Sequence, residues 1–169
     1  MDGRTVYAGR VFSIEVDRVV LPNGRAHDVA IVRHPPSVVL IPMQDDGRVV
    51  LIRQYRHALE RDIWEVPAGS VDAKESAEAA AARECVEEIG QVPDRIERLG
   101  SFFPTPGYCD EEMIFFRVSG LKPPPPDSPS KPDEDEDIEV HPLTIADAKA
   151  MVASGEIIDL KTAYAMSLI

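Results

Sequence analysis

Three glutamates carry the strongest hint of chemistry in this chain. Glu84, Glu87 and Glu88 lie in the run Arg83-Glu-Cys-Val-Glu-Glu-Ile-Gly90. Spacing of i, i+3, i+4 puts their carboxylates on one face of one helical turn. Like charges so close repel one another, and a divalent cation among them relieves that repulsion. Hard oxygen donors at this density suit Mg²⁺ when substrate phosphates complete the shell. The competing reading is a solvated acidic helix face. Arg83 inside the cluster and Glu75 in the loop before it weigh toward a built site.

The elements around the cluster must hold it in place. Ser76 to Ile89 contains no Gly or Pro and is rich in Ala, which predicts a helix. Ser76 is the expected N-cap and Gly90 the expected left-handed stop. Val66-Pro67-Ala68 reads as a strand end running into Gly69. If that loop folds back, the Ala68 carbonyl turns toward the carboxylates as a further oxygen ligand. Glu111 can add another carboxylate.

Cationic and aromatic candidates lie on flanking segments. Arg56 ends the strand Arg48–Arg56, where its guanidinium can face phosphate oxygens or simply solvent. Arg53, on the same strand, reads as a surface charge. Trp64 reads as core, and the role of Glu65 is open. Tyr108, beside Pro106-Gly107, can stack on a base, line a ribose pocket or pack within its loop. Asp133-Glu-Asp-Glu-Asp137 reads as a solvated charge run that can also furnish a general base.

Bulk properties narrow the class. At 169 residues with 44% apolar composition, the chain predicts one globular domain with a real core. A net charge of −12 argues against nonspecific nucleic-acid or anionic-membrane binding. An anionic substrate stays compatible, because bound Mg²⁺ reverses the local field. Cys85 and Cys109 form neither a disulfide framework nor a zinc spacing, so a reducing, cytoplasmic setting is expected. No signal-peptide pattern opens the sequence, and no apolar run is long enough to span a bilayer.

Residues 4–33 read as β-rich, with a hairpin turn at Leu21-Pro-Asn-Gly and a second extended run from Asp28 to Arg33. His34-Pro-Pro ends it. So small a sheet lacks a core of its own and must pack on the following domain or on a second subunit. The expected boundaries are 1–36 for an N-terminal antiparallel β region that dimerises and 37–169 for the main domain. Strands are predicted at Val38–Pro42, Arg48–Arg56, Ile96–Phe103, Met113–Val118 and Ile138–His141. A helix opens at Thr144 and closes at Gly155, and another runs from Asp159 to Ile169. Residues 122–132 form a proline-rich loop.

The spacing G-x5-E-x7-R-E-x2-E-E-x-G over residues 69–91 resembles the Nudix box, with Gly69, Glu75, Arg83, Glu84, Glu87, Glu88 and Gly90 all matching. Cys85 and Gln91 stand where that family has aliphatic residues. A buried thiol serves as a small hydrophobe, and Val92 is expected to supply the apolar packing that Gln91 cannot. Arg33-His-Pro35, Arg53-Gln-Tyr-Arg56 with Glu65-Val-Pro-Ala-Gly69, and Pro106-Gly-Tyr-Cys-Asp-Glu111 are similar to the ADP-ribose pyrophosphatase and nucleotide-sugar hydrolase branch.

That resemblance implies an α/β/α sandwich around a mixed sheet, and a homodimer whose N-terminal strands reach across to the partner. It implies two or three Mg²⁺ ions, replaceable by Mn²⁺, on Glu84, Glu87, Glu88 and the Ala68 carbonyl, with Glu111 nearby. Glu75 would orient Arg83, and Arg83 would steady the glutamate row. Glu136, or alternatively Glu134, would be the base, and Arg56 would clamp the phosphates. Glu65, Pro106, Gly107 and Tyr108 would contact substrate. Ala30 stands where the branch often carries a glutamate that reads adenine, and Asp28 or Arg25 can replace it. The implied substrate is ADP-ribose, or else GDP-mannose or another nucleotide sugar. A nucleotide-sensing domain without catalysis is the alternative of a different class.

Overall fold

The computed structural model describes residues 3–126 and 137–169. Among these, ten strands and three helices form a mixed α/β sandwich with a small antiparallel sheet ahead of it.

The strands β4 (Ser37–Met43), β5 (Val49–Arg56) and β9 (Met113–Ser119) are apolar and nearly continuous in burial. Such runs suit strands covered on both faces. Val38, Leu40, Val50, Ile52, Ile114 and Phe116 face α1 (Ala77–Ile89), packing against Ala80, Ala81, Cys85 and Ile89. Val39, Ile41, Val49, Leu51 and Phe115 face the opposite way. They pack on Ala148 of α2 (Ile145–Ser154) and on Ala165 and Met166 of α3 (Leu160–Ser167). The period-two alternation of each strand therefore feeds two cores.

The main sheet runs β10-β5-β4-β9-β8, with β8 at Arg95–Phe102 and β10 at Ile138–Leu143. β4 lies parallel to β9, and its other edge splits. It meets β5 only at Met43 opposite Val49, while Ser37 to Val39 pair with β7 (Ala68–Ser70). β5 in turn pairs with β6 (Arg61–Glu65). The stretch from Trp64 to Gly69 is thus divided between two strands on different neighbours. Pro67, which has no amide to donate, stands between them. The opening between β4 and β5 carries the candidate site.

β1 (Arg4–Ala8), β2 (Ser13–Val20) and β3 (Ala26–Arg33) form the N-terminal sheet, which begins earlier on β3 than expected. Its anchor lies within the same chain. The Val32 amide donates to the Tyr108 carbonyl at 2.8 Å, and the Asp110 amide returns a bond to Val32. Arg33 bridges Glu15, Asp17 and Asp110, and Asp110 also accepts from the His34 amide at 2.9 Å. Burial pushes the Asp110 carboxyl up, but the His34 amide and Arg33 outweigh it and hold it low.

Val92 does not pack on the helix core as expected. It forms a two-bond backbone bridge with Lys122, at the root of the proline-rich loop, while Ile96 and Leu121 pack there instead. The amide of Gln91 bonds back to the Cys85 carbonyl, so this residue contributes its backbone to the helix cap. The predicted bases Glu134 and Glu136 lie outside the described residues.

Candidate active site

Helix α1 sets one wall. Ser76 accepts from the Ala79 amide at 3.1 Å, and Gly90 closes the far end at φ 66°. Burying Cys85 fixes the helix rotation; its thiol is pushed up to about 12 by burial and stays neutral. Arg83 then faces β7. Its guanidinium donates to both Glu75 oxygens at 3.1 and 3.0 Å, to Glu84 and Glu87 at 2.7 Å each, and to the Ser70 carbonyl at 2.9 Å. Arg83 holds the Glu75 carboxyl below its ordinary range, and the three carboxylates, Glu75 foremost, raise the arginine further.

β7 closes over this turn. The Ala68 amide donates to Glu88 at 2.9 Å, so Ala68 reaches the acidic cluster through its N–H. Glu84 and Glu88 are buried, an arrangement that requires partners. Among the described residues, no three acidic, His or Cys side chains converge on one point. The donor chemistry nevertheless fits a hard divalent cation: Glu84, Glu87 and Glu88 line one cleft of about 600 Å³ with Ala68 and Gly69.

A second charged group forms the inner wall. Arg56 donates to Glu65 through Nε at 2.5 Å and Nη2 at 2.8 Å, while Lys161 closes on the same carboxylate. Glu65 is only 1% exposed. Burial pushes its carboxyl up, but Arg56 and Lys161 outweigh that and hold it ionised below the usual range. Asp159 caps α3, accepts from Lys161 at 3.0 Å and from the Thr162 hydroxyl at 2.6 Å. The Thr162 hydroxyl in turn accepts from the Val66 amide at 2.8 Å, tying the final helix to the β6–β7 joint.

Arg56, Ala68, Gly69 and Ser70 line both the main cleft and an inner arm that continues past Ser37, Glu111, Asp159 and Lys161. Ser37 donates to Glu111 at 2.6 Å. The structure thus sets Glu84, Glu87, Glu88, Ala68, Arg83 and Arg56 along the main cleft, Glu111 along its inner arm, and Glu65 behind Arg56. Pro106, Gly107 and Tyr108 line neither arm, and the Tyr108 side chain is exposed. Trp64 is half-buried on the α2–α3 side, its ring edge-on to His141. Arg53 is a surface charge beside Asp62 and Glu139.

Arg25 stands apart. It follows the turn between β2 and β3, where its amide bonds Asn23. The end of the sheet that reaches the cleft is the other one, the β1–β2 connection carrying Arg10 and Val11. The eight residues of β2 separate the two ends by roughly 26 Å. Reasoning from sequence also missed Asp159, Lys161 and Thr162. Asp159 before a helical run is a readable cap, but nothing local announces that Lys161 meets Glu65.

A family model described as NUDIX domain matches residues 33–160. The chain belongs to the Nudix family. This Nudix hydrolase is 37% identical over 161 residues to the ADP-ribose pyrophosphatase of Bacillus subtilis (strain 168), covering 95% of this chain and 86% of the relative. It is 35% identical, with the same coverage, to the methanol dehydrogenase activator of Bacillus methanolicus. A crystal structure of an ADP compounds hydrolase superposes with a TM-score of 0.85 over 99% of this chain and 89% of the other. At 24% identity, that match speaks to the fold. No helix among the described residues is long and apolar enough to cross a membrane.

Proposed function

We propose that this Nudix hydrolase cleaves the pyrophosphate of a nucleotide sugar, with ADP-ribose as the first substrate. Water and ADP-ribose would give AMP and ribose 5-phosphate. The observation that carries this reading is the pairing of Glu84, Glu87 and Glu88 with Arg56 along one cleft. Acidic oxygens suit the cation, and a guanidinium suits the phosphate it would share. The Bacillus subtilis relative supports the choice of ADP-ribose.

Glu84, Glu87 and Glu88 would hold Mg²⁺, or Mn²⁺ in its place. A bound dication would neutralise the pyrophosphate and stabilise the attacking and leaving oxygens. Arg83, held by Glu75, spaces Glu84 from Glu87. Arg56, aimed by Glu65, binds a phosphate oxygen. Glu136, or Glu134, accepts the proton of the attacking water. The water oxygen bonds to phosphorus, the bridging P–O bond breaks, and the departing phosphate takes the electron pair.

Ala30 supports GDP-mannose as the second substrate to test, since β3 carries no carboxylate at that position. A homodimer is part of the proposal: Val6, Tyr7, Phe12 and Val20 are apolar and exposed on the N-terminal sheet. A cytoplasmic setting fits the two free thiols. Initial rates on ADP-ribose, GDP-mannose, ADP-glucose and diadenosine polyphosphates test the reading, with Mg²⁺, Mn²⁺ or a chelator. Metal-dependent turnover of a nucleotide sugar is expected, and Glu87→Gln should lower it at least ~100-fold. Full activity in chelator, or in Glu87→Gln at saturating Mg²⁺, would refute it.

A further inference from the structure

The outer rim of the cleft comes from the N-terminal sheet. Between β1 and β2, the Gly9 amide donates to the Phe12 carbonyl at 2.9 Å, and the Tyr7 and Phe12 rings pack with centroids 5.6 Å apart. This tight turn holds Arg10 and Val11 against the same cleft that Glu84, Glu87 and Glu88 line. Two other guanidiniums in that cleft are already committed, Arg56 to Glu65 and Arg83 to Glu75, Glu84 and Glu87. Arg10 is different: it is exposed, and it makes no hydrogen bond or ion pair with any described residue.

We infer that Arg10 is a substrate-binding residue that takes a pyrophosphate oxygen from the rim facing the glutamate row. The inference rests on the reading of the substrate as a nucleoside diphosphate derivative. Its chemistry is that of a guanidinium fork with donors to spare, matched to a phosphate's acceptor geometry. The acidic neighbours do not consume it, because Arg83 and the Ala68 amide already hold Glu84, Glu87 and Glu88. An incoming anion is the partner left for it, and a long side chain on a fixed turn can close on that anion. The N-terminal sheet then serves the site of its own protomer, whatever it does for a partner.

The test compares wild type with Arg10→Ala and Arg10→Lys on ADP-ribose and GDP-mannose in Mg²⁺. Arg10→Ala should raise KM about tenfold on any pyrophosphate substrate the enzyme turns over, with kcat within about twofold. Arg10→Lys should recover part of that effect, since it keeps the charge without the fork. Competitive inhibition by inorganic pyrophosphate should weaken by the same factor as KM. Because Arg10 pairs with no other described side chain, the melting temperature should not move. A wild-type enzyme active on these substrates, with Arg10→Ala unchanged in KM or impaired only in kcat, overturns the assignment of Arg10. A wild type that cleaves none of them overturns the substrate reading instead.

Discussion

The α-carbon of Gly69 lies against the carboxylate of Glu84, so closely that a β-carbon there would overlap the carboxylate carbon and both its oxygens. With Glu84 held in this position, β7 crosses the acidic turn only where it carries no side chain. Gly69→Ala should therefore push Glu84 out of line with Glu87 and Glu88. Displacements of this kind cost on the order of 100-fold in rate, and the forced shift costs about 1–3 kcal/mol of stability. Steady-state kinetics and thermal melting of the variant measure both. Activity within threefold of wild type would show that the contact does not position Glu84.

Arg56 and Glu65 act as one unit, because the buried carboxylate aims the guanidinium. Glu65→Gln should raise KM roughly tenfold, and Arg56→Ala by as much or more. The double variant should be little worse than Arg56→Ala alone, a coupling of about 1–3 kcal/mol in a double-mutant cycle on kcat/KM. Additive effects would mean that Glu65 matters only to folding.

The Glu75–Arg83 pair predicts an acid dependence of stability. Arg83 depresses the folded-state carboxyl below its ordinary value of 4.5. A depressed carboxyl adds stability above the unfolded pKa, and that stability is lost as pH falls through the folded value. The difference in denaturant midpoint between wild type and Glu75→Gln should be largest at neutral pH and shrink below pH 4.5. A gap that stays constant down to strong acid would contradict the pairing.

Asp110 latches the N-terminal sheet to the loop before β9, through Arg33 and the His34 amide. Asp110→Ala should lower stability by about 1 kcal/mol, since one bond is a partly exposed ion pair. Hydrogen exchange should speed up in β3 more than in β4. Equal protection in both variant and wild type would make the latch ornamental.

The acidic helix was readable because every determinant is local. Ser76, the alanine run, Glu84–Glu88 and Gly90 lie within one short segment, and propensity, capping and the 3.6-residue period all agree there. The strands β4 and β5 were legible for the same reason, as continuous apolar runs, while their burial on both faces came from the packing of helices on either side. Other features depended on residues distant in sequence. Lys161 reaches Glu65 across 96 positions, Thr162 holds Val66 at the same separation, and Ser37 meets Glu111 across 74. No periodicity encodes such pairs, because the first two arise only when α3 packs against the splayed strands and the third only when β9 pairs with β4. The same logic separates Arg25 from Arg10. Both are cations in turns of one small sheet, and only the folded register shows which end of that sheet overlooks the glutamates.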